Sequence, residues 1–272
     1  MVVSILGCGW YGRALAAKLL SYGISVKGSA TSPERAEQLL QLGIKSYVIK
    51  FDENTSLYDA DFFKCDIVVI AIPPGFRKNE GHRYLQRIKG VIKAITNHKI
   101  AKAVYISSTG VYADCNRKVN ENDIPGPDSE SGKILYAAET LFLNESGLKT
   151  SIVRFGGLVG PGRNPARFFA GRTDVPNGLA PVNLIHQFDC VGVTYAIIGK
   201  DCFGYIFNAC APDHLAKGNF YCKMAEQNKL LPPVFLNELK DWKIVDSVNL
   251  SLKLKYNFII DSWDKYRLDE LG

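Results

Sequence analysis

The residues with the clearest chemistry stand at the start of the chain. Gly7-Cys8-Gly9-Trp10-Tyr11-Gly12 has the spacing G-x-G-x-x-G, directly after an apolar run at 2–6 and at the start of a helical pattern. In that context Gly7 permits a tight turn, Gly9 lets a pyrophosphate approach the backbone, and Gly12 lets helix and strand touch. The phosphates would meet the amides of Trp10 and Tyr11 at the helix N-terminus, where unpaired N–H groups and the dipole favour an anion. The pattern therefore points to a bound dinucleotide; outside a strand-turn-helix it would be only a glycine-rich turn.

About 20 residues further on, a site for NAD places Asp or Glu against the ribose 2′-hydroxyl. Here the segment reads Lys27-Gly28-Ser29-Ala30-Thr31-Ser32-Pro33-Glu34-Arg35. Thr31, Ser32 and Arg35 offer hydroxyls and a guanidinium, which suit a 2′-phosphate, so the expected cofactor is NADP, with NAD as the alternative. Ser32 has a second reading as a helix cap, and Arg35 as a solvated charge. Asp52 is placed to meet the adenine amino group and Ile72-Pro73 to lie against the adenosine, with a turn role as the alternative for each.

These groups need a frame to hold them. Apolar runs at 2–6, 25–29, 46–50, 66–72 and 103–107 alternate with helical patterns, the signature of β-α-β units around a parallel sheet. The runs are nearly continuous in Val, Ile and Ala, as strands covered on both faces should be. Leu15, Leu19 and Leu20 recur along the first helix, Pro33 suits a first helical position, and Tyr84, Ile88, Val91, Ile92 and Ile95 mark one face of a longer helix. A polar loop at 114–130, a helix at 131–144 and a strand at 149–154 follow. After Phe155 the chain is dense in Gly and Pro, then resumes as a helix capped by Asp189 and running to Ile198, a strand at 205–209 and a helix at 214–228. The expected fold is α/β, a Rossmann-type doubly wound parallel sheet. Its core spans 1–155, and a smaller C-terminal substrate-binding portion, 156–272, packs on it as part of one structural unit.

Composition bounds the rest. The 272 residues are 47% hydrophobic and 22% charged, which excludes a disordered or collagen-like chain. The longest apolar stretch, 67–74, falls far short of the roughly 18 residues that span a membrane. MVVSILGCGW lacks the charged n-region of a secretory signal, so a cytoplasmic location is expected. Seven scattered cysteines without a C-x-x-C pair argue against a disulfide framework and a zinc site. His82, His98 and His214 have no acidic or cysteine partner at ligand spacing, so no metal is expected. The net charge of +6 is spread without a Lys/Arg block, which gives no support to nucleic-acid or membrane binding and suits an anionic small molecule.

The glycine fingerprint, ISSTGVYAD at 106–114, the SGKILYAAETLF helix, SIVRFGGLVGPGR at 151–163 and NLIHQFD at 183–189 together resemble an atypical extended short-chain dehydrogenase/reductase of the NAD-dependent epimerase/dehydratase group. The resemblance covers almost the whole chain. It implies that Ser108, four residues before Tyr112, steadies a substrate oxygen, with Thr109 on the substrate side. It also implies a Y-x-x-x-K pair with a Glu four residues beyond the Lys. With Glu139 as that Glu, Ser131 stands at the Tyr position and Leu135 at the Lys position, so both catalytic positions are lost. Tyr136 is no substitute on helical geometry. Ser131, Leu135 and Glu139 drift only about 40° per step, whereas Tyr136 is rotated about 140° from Ser131. Tyr136 therefore reads as a core or interface residue, and Lys133 points elsewhere.

The loss matters because hydride exchange at a carbinol needs a proton moved at its oxygen. A phenol beside a Lys cation can do this, and losing a general acid-base typically costs about 10² to 10⁴ in rate. His186 is the candidate replacement, since imidazole titrates in the useful range; a histidine hydrogen-bonded beside the cleft is the equal alternative. Asn183 reads as orienting a substrate hydroxyl or as a turn former. Arg163 and Arg167 read as meeting a phosphate or carboxylate, or as surface charges. Arg154 reads as a structural anchor. Two functions result. One is an NADP-dependent oxidoreductase or epimerase/dehydratase acting on a small polar, sugar-like carbonyl or carbinol, with Ser108 and His186 catalytic. The other is a non-catalytic dinucleotide-binding redox sensor or partner-binding protein. The resemblance also implies a homodimer through the helices near 84–98 and 131–144.

Overall fold

Seven apolar runs pair side by side in the computed structural model, which describes residues 1–52, 56–75 and 81–266. They are β1 (Val2–Leu6), β2 (Ser25–Ala30), β3 (Lys45–Val48), β4 (Ile67–Ile70), β5 (Lys102–Ser108), β6 (Lys149–Phe155) and β7 (Ile206–Ala209). Their spatial order is β3-β2-β1-β4-β5-β6-β7, and every pairing is parallel. The order reverses between β1 and β4, the switch point at which doubly wound sheets bind ligands. The register there runs from Val3 against Ile67 to Leu6 against Ile70, so both strands end level beside Gly7 and Ala71.

Parallel strands need crossovers, and helices supply them. They are α1 (Trp10–Ser21), α2 (Pro33–Leu40), α3 (Gly81–Asn97), α4 (Glu130–Leu143) and α5 (Gln187–Gly199); α6 (Lys217–Gln227) follows β7. Alternate residues of a strand face opposite sides. Val3, Ile5, Val69 and Val104 accordingly pack with Leu15 and Leu19 of α1 and Ile197 of α5. Leu6, Val68, Ile70 and Tyr105 pack instead with Ile88 and Val91 of α3 and Phe142 of α4. Each such aliphatic side chain contributes about 1.5–3 kcal/mol relative to leaving it exposed. A third cluster, around Val159, Leu184, Phe220, Met224 and Trp263, holds the C-terminal portion together.

The structure differs from the sequence reading in detail. β3 stops at Val48 because Lys50–Phe51 leave the sheet and pair antiparallel with Ser56–Leu57. α5 begins at Gln187 and is capped by His186, not Asp189. The Asp189 carboxylate is claimed by three donors of the C-terminal segment: the Tyr256 hydroxyl and the amides of Ile259 and Ile260. α6 begins only at Lys217, and His214 Nδ1 lies 2.9 Å from the Val182 carbonyl. The sheet continues past residue 155, since β7 extends it beside β6 and α5 packs on α1. No helix among the described residues is long and apolar enough to cross a membrane.

Candidate functional site

Above the switch point the molecule opens into a cleft of about 1210 Å³. Its floor is the turn from β1 to α1, where the three fingerprint glycines answer different needs. At Gly7 φ is +95°, and a Cβ would lie 2.7 Å from the Ala71 carbonyl oxygen. At Gly12 a Cβ would lie 2.7 Å from the Gly7 carbonyl oxygen. The backbone itself requires both. At Gly9 φ is −86° and nothing lies within 4 Å of the Cβ position, so the fold leaves open the space that the motif reserves for a pyrophosphate. α1 starts at Trp10 without a side-chain cap, which leaves its first amides to a ligand. The Gly7 amide donates to Ser29 Oγ at 2.8 Å and the Cys8 amide to the Ser29 carbonyl at 3.0 Å, tying the turn to β2. These residues fit a dinucleotide.

Thr31, Arg35, Asp52, Ile72 and Pro73 line the same cleft as the glycine turn with its Trp10 and Tyr11. Arg35 Nη1 lies 3.4 Å from Thr31 Oγ1, which sets a hydroxyl and a guanidinium side by side just past β2. Ser32 stands outside the residues that line the cleft. It is the N-cap residue of α2, ahead of Pro33, and its hydroxyl bonds to Glu34, lowering the carboxyl pKa. Sequence reading missed Arg13, Lys50, Arg87 and Cys8 in the cleft wall. Burial pushes the Cys8 thiol up to about 12, so it stays protonated and unreactive. Arg13, Arg35, Lys50, Arg87 and Arg163 face the cleft against Asp52 as its one lining carboxylate among the described residues.

At the other end, Ser108, Ser131 and Leu135 line the cleft. Ser108 opens the short turn Thr109–Val111, and its Oγ accepts from the Gly110 amide at 3.1 Å. Thr109 is buried in that turn and is not among the residues that line the cleft. α4 packs against the turn so closely that a Cβ at Gly132 would collide with the Gly110 carbonyl. That contact carries Ser131 to the cleft. Leu135 presents an apolar side chain at the position where the resemblance expects an amine.

Behind these residues lies a buried polar network, in which sequence reading marked Arg154 as an anchor and Glu139 and Tyr112 only as motif positions. Glu139 accepts from Ser107 Oγ at 2.6 Å and from Arg154 Nε and Nη2 at 3.0 and 2.6 Å. Arg154 Nη1 donates to the Tyr112 phenol at 2.5 Å, which in turn lies 3.0 Å from the Asn120 carbonyl and 3.2 Å from Asn208 Oδ1. Glu139 is 0% and Arg154 1% exposed, so each charge depends on the other. Burial raises the Tyr112 pKa, and this phenol braces the interior away from the cleft wall.

The remaining candidates lie elsewhere, with one exception. His186 is fully buried; its Nδ1 accepts from the Phe188 amide at 3.2 Å, and its ring packs on Phe188 and Tyr266. Burial pushes the imidazole pKa down to about 4. In this structure it serves as the N-cap of α5 and stands outside the cleft lining: pairing of Leu184–His186 with Gly157–Val159 draws it inward. Asn183 has both ends of its amide taken, by the Lys243 carbonyl and the Val245 amide at 2.8 Å each, which ties it to the strand Lys243–Val245 outside the cleft lining. Arg167 is exposed on the turn Pro165–Arg167, outside the cleft wall. Arg163 is the exception: it lines the cleft, with its guanidinium 4.5 Å from the Trp10 ring centroid. Tyr136 is half-buried against the α3–α4 side of the core, and Lys133 pairs with Glu130 at the surface. Among the described residues no three His, Cys, Asp or Glu converge as metal ligands; the His82 side chain lies outside the described residues.

Comparison with known proteins places this geometry among relatives. A family profile described as NAD(P)H-binding matches residues 7–180. Protein YeeZ of Escherichia coli strain K12 is 35% identical over 262 residues, covering 94% of this chain and 95% of that protein. Among solved structures, UDP-glucuronic acid 4-epimerase from Bacillus cereus in complex with NAD is similar at a TM-score of 0.78, with 18% identity over 97% of this chain and 94% of that one. MoeE5 in complex with UDP-glucose and NAD is similar at 0.76, with 21% identity over 95% and 93%.

Proposed function

The chain belongs to the NAD(P)H-binding family and has the fold of the extended short-chain dehydrogenases/reductases and epimerases, and from that premise we propose that it binds NADP(H) and responds to the nucleotide without Tyr–Lys catalysis. One observation carries the reading: Ser131 and Leu135 line the cleft where the resemblance expects the acid-base phenol and its lysine. A bound nicotinamide supplies a hydride donor or acceptor. The side chains around it supply hydroxyls and an isobutyl group, and a lone serine is a poor proton donor or acceptor near neutral pH. Preference for the 2′-phosphate is supported by Thr31 and Arg35 side by side and by the excess of cations along the cleft. In this reading NADP and NADPH differ in how they change affinity for a partner, and the partner reciprocally changes theirs.

A second reading is favoured by Ser108 in the cleft wall and by a volume above the roughly 300–1,000 Å³ of a single-ligand site. It is an NADP-dependent oxidoreductase or epimerase/dehydratase acting on a small polar, sugar-like carbonyl or carbinol. A cytoplasmic location and a homodimer through α3 and α4, where Leu141 is half-buried and Leu143 is 47% exposed, belong to either reading. The test is NADPH oxidation across a panel of carbonyl compounds and nucleotide-sugars, run beside a binding titration. Binding without turnover is the expected result. Turnover that falls in Ser108→Ala would establish the second reading in its place.

A further inference from the structure

The turn at 160–163 is built as a stiff unit. The amides of Gly160 and Arg163 each donate to the other's carbonyl, at 3.4 and 2.8 Å. Gly160 and Gly162 take φ of +144° and +72°, which glycine adopts at little cost. This turn is fastened to the first residue of α1. The Trp10 indole N–H donates to the Pro161 carbonyl at 2.5 Å, Gln187 Nε2 donates to the Trp10 carbonyl at 3.1 Å, and Arg163 lies over the Trp10 ring. Stacking on an indole orients a guanidinium, and the N–H fork of arginine matches phosphate oxygens in a way that a lysine does not. Arg163 lines the same cleft as Gly9, whose Cβ space is open.

We infer that Arg163 serves the cofactor and not a substrate: its guanidinium, braced by Trp10, clamps the pyrophosphate of the dinucleotide from the C-terminal side of the cleft, across from the first amides of α1. The inference rests on the NADP(H) reading and adds to it a ligand from beyond residue 156. It explains why an indole stands at the first position of the dinucleotide helix. Trp10 gives the cleft-facing arginine a fixed platform, and its N–H holds the turn that bears that arginine.

Calorimetric titration of the full chain with two ligands separates the ends of the cleft. NADPH carries both the pyrophosphate and the 2′-phosphate, whereas adenosine 2′-monophosphate carries only the latter. Arg163→Ala is expected to weaken NADPH about 10- to 100-fold, the loss of a hydrogen bond to a charged group, and to leave adenosine 2′-monophosphate within about twofold of wild type. Arg163→Lys, with the charge but not the fork, falls between. Arg35→Ala weakens both ligands. Arg163 is exposed, so the melting temperature of Arg163→Ala stays at that of wild type. NADPH bound by Arg163→Ala as tightly as by wild type overturns the inference, as does equal weakening of both ligands. Failure of the NADP(H) reading has a different signature: wild type then binds neither ligand, and the inference falls with it.

Discussion

The two ends of the cleft are built on different terms. At the glycine turn the backbone makes the site: Gly7 and Gly12 hold it in shape, Gly9 leaves space, and α1 offers uncapped amides. At the far end side chains would have to make the site, and those present are hydroxyls and a leucine, backed by an ion pair sealed from solvent. Anion binding by a helix N-terminus needs no particular side chain, so it survives exchanges that acid-base chemistry does not. The comparison teaches that this chain invests its buried polar groups at the far end in holding β5, α4 and β6 together.

The sharpest way to break that contrast is at the ion pair. Arg154→Leu strands the Glu139 charge and is expected to cost about 3–5 kcal/mol, read from urea unfolding. Unchanged stability with altered NADPH oxidation would instead make the network part of the chemistry. At the glycine end, Gly7→Ala meets the Ala71 carbonyl and a positive φ, and is expected to cost about 2–3 kcal/mol in the same measurement.

His186 supplies a pH test. The folded chain holds its imidazole neutral down to about pH 4, whereas in the unfolded chain it protonates near its ordinary 6.5. The unfolded state therefore gains the proton first as pH falls, and stability drops by up to about 3 kcal/mol between pH 6.5 and 4. Above that window His186 contributes no slope. Unfolding measured against pH in His186→Phe should lack this component, while NADPH affinity at neutral pH stays as in wild type. A loss of NADPH binding would return His186 to the site. The smallest effect is expected at the ribose: Thr31→Asp should shift the NADPH-to-NADH affinity ratio about tenfold toward NADH, measured by titration. An unchanged ratio would remove Thr31 from the site.

What was legible in the sequence follows the same division. The glycine fingerprint and the Thr31–Arg35 pair depend on local spacing, and in the structure they line one cleft above a parallel sheet of the expected doubly wound kind. The departure from Y-x-x-x-K rests on the resemblance, which sets Ser131, Leu135 and Glu139 at its positions, and on helical spacing that gives those three one face whatever packs against it. The residues whose surroundings local sequence does not give are those with partners far along the chain. His186 turns inward on the strand Gly157–Val159, Asn183 is taken by Lys243 and Val245, and Asp189 by the segment from Tyr256 to Ile260. The link from Trp10 to Pro161 spans 151 residues and left no local signal.

The most direct test of the account is calorimetric titration of NADPH and NADH into wild type and Gly9→Asp. Because the Gly9 Cβ space is empty, the substitution puts a carboxylate against the pyrophosphate position while leaving the fold intact. The account predicts tighter NADPH than NADH in wild type, and a loss of at least about 100-fold for both in Gly9→Asp with the unfolding midpoint unchanged. NADH binding as tightly as NADPH, or affinity retained in Gly9→Asp, would contradict it.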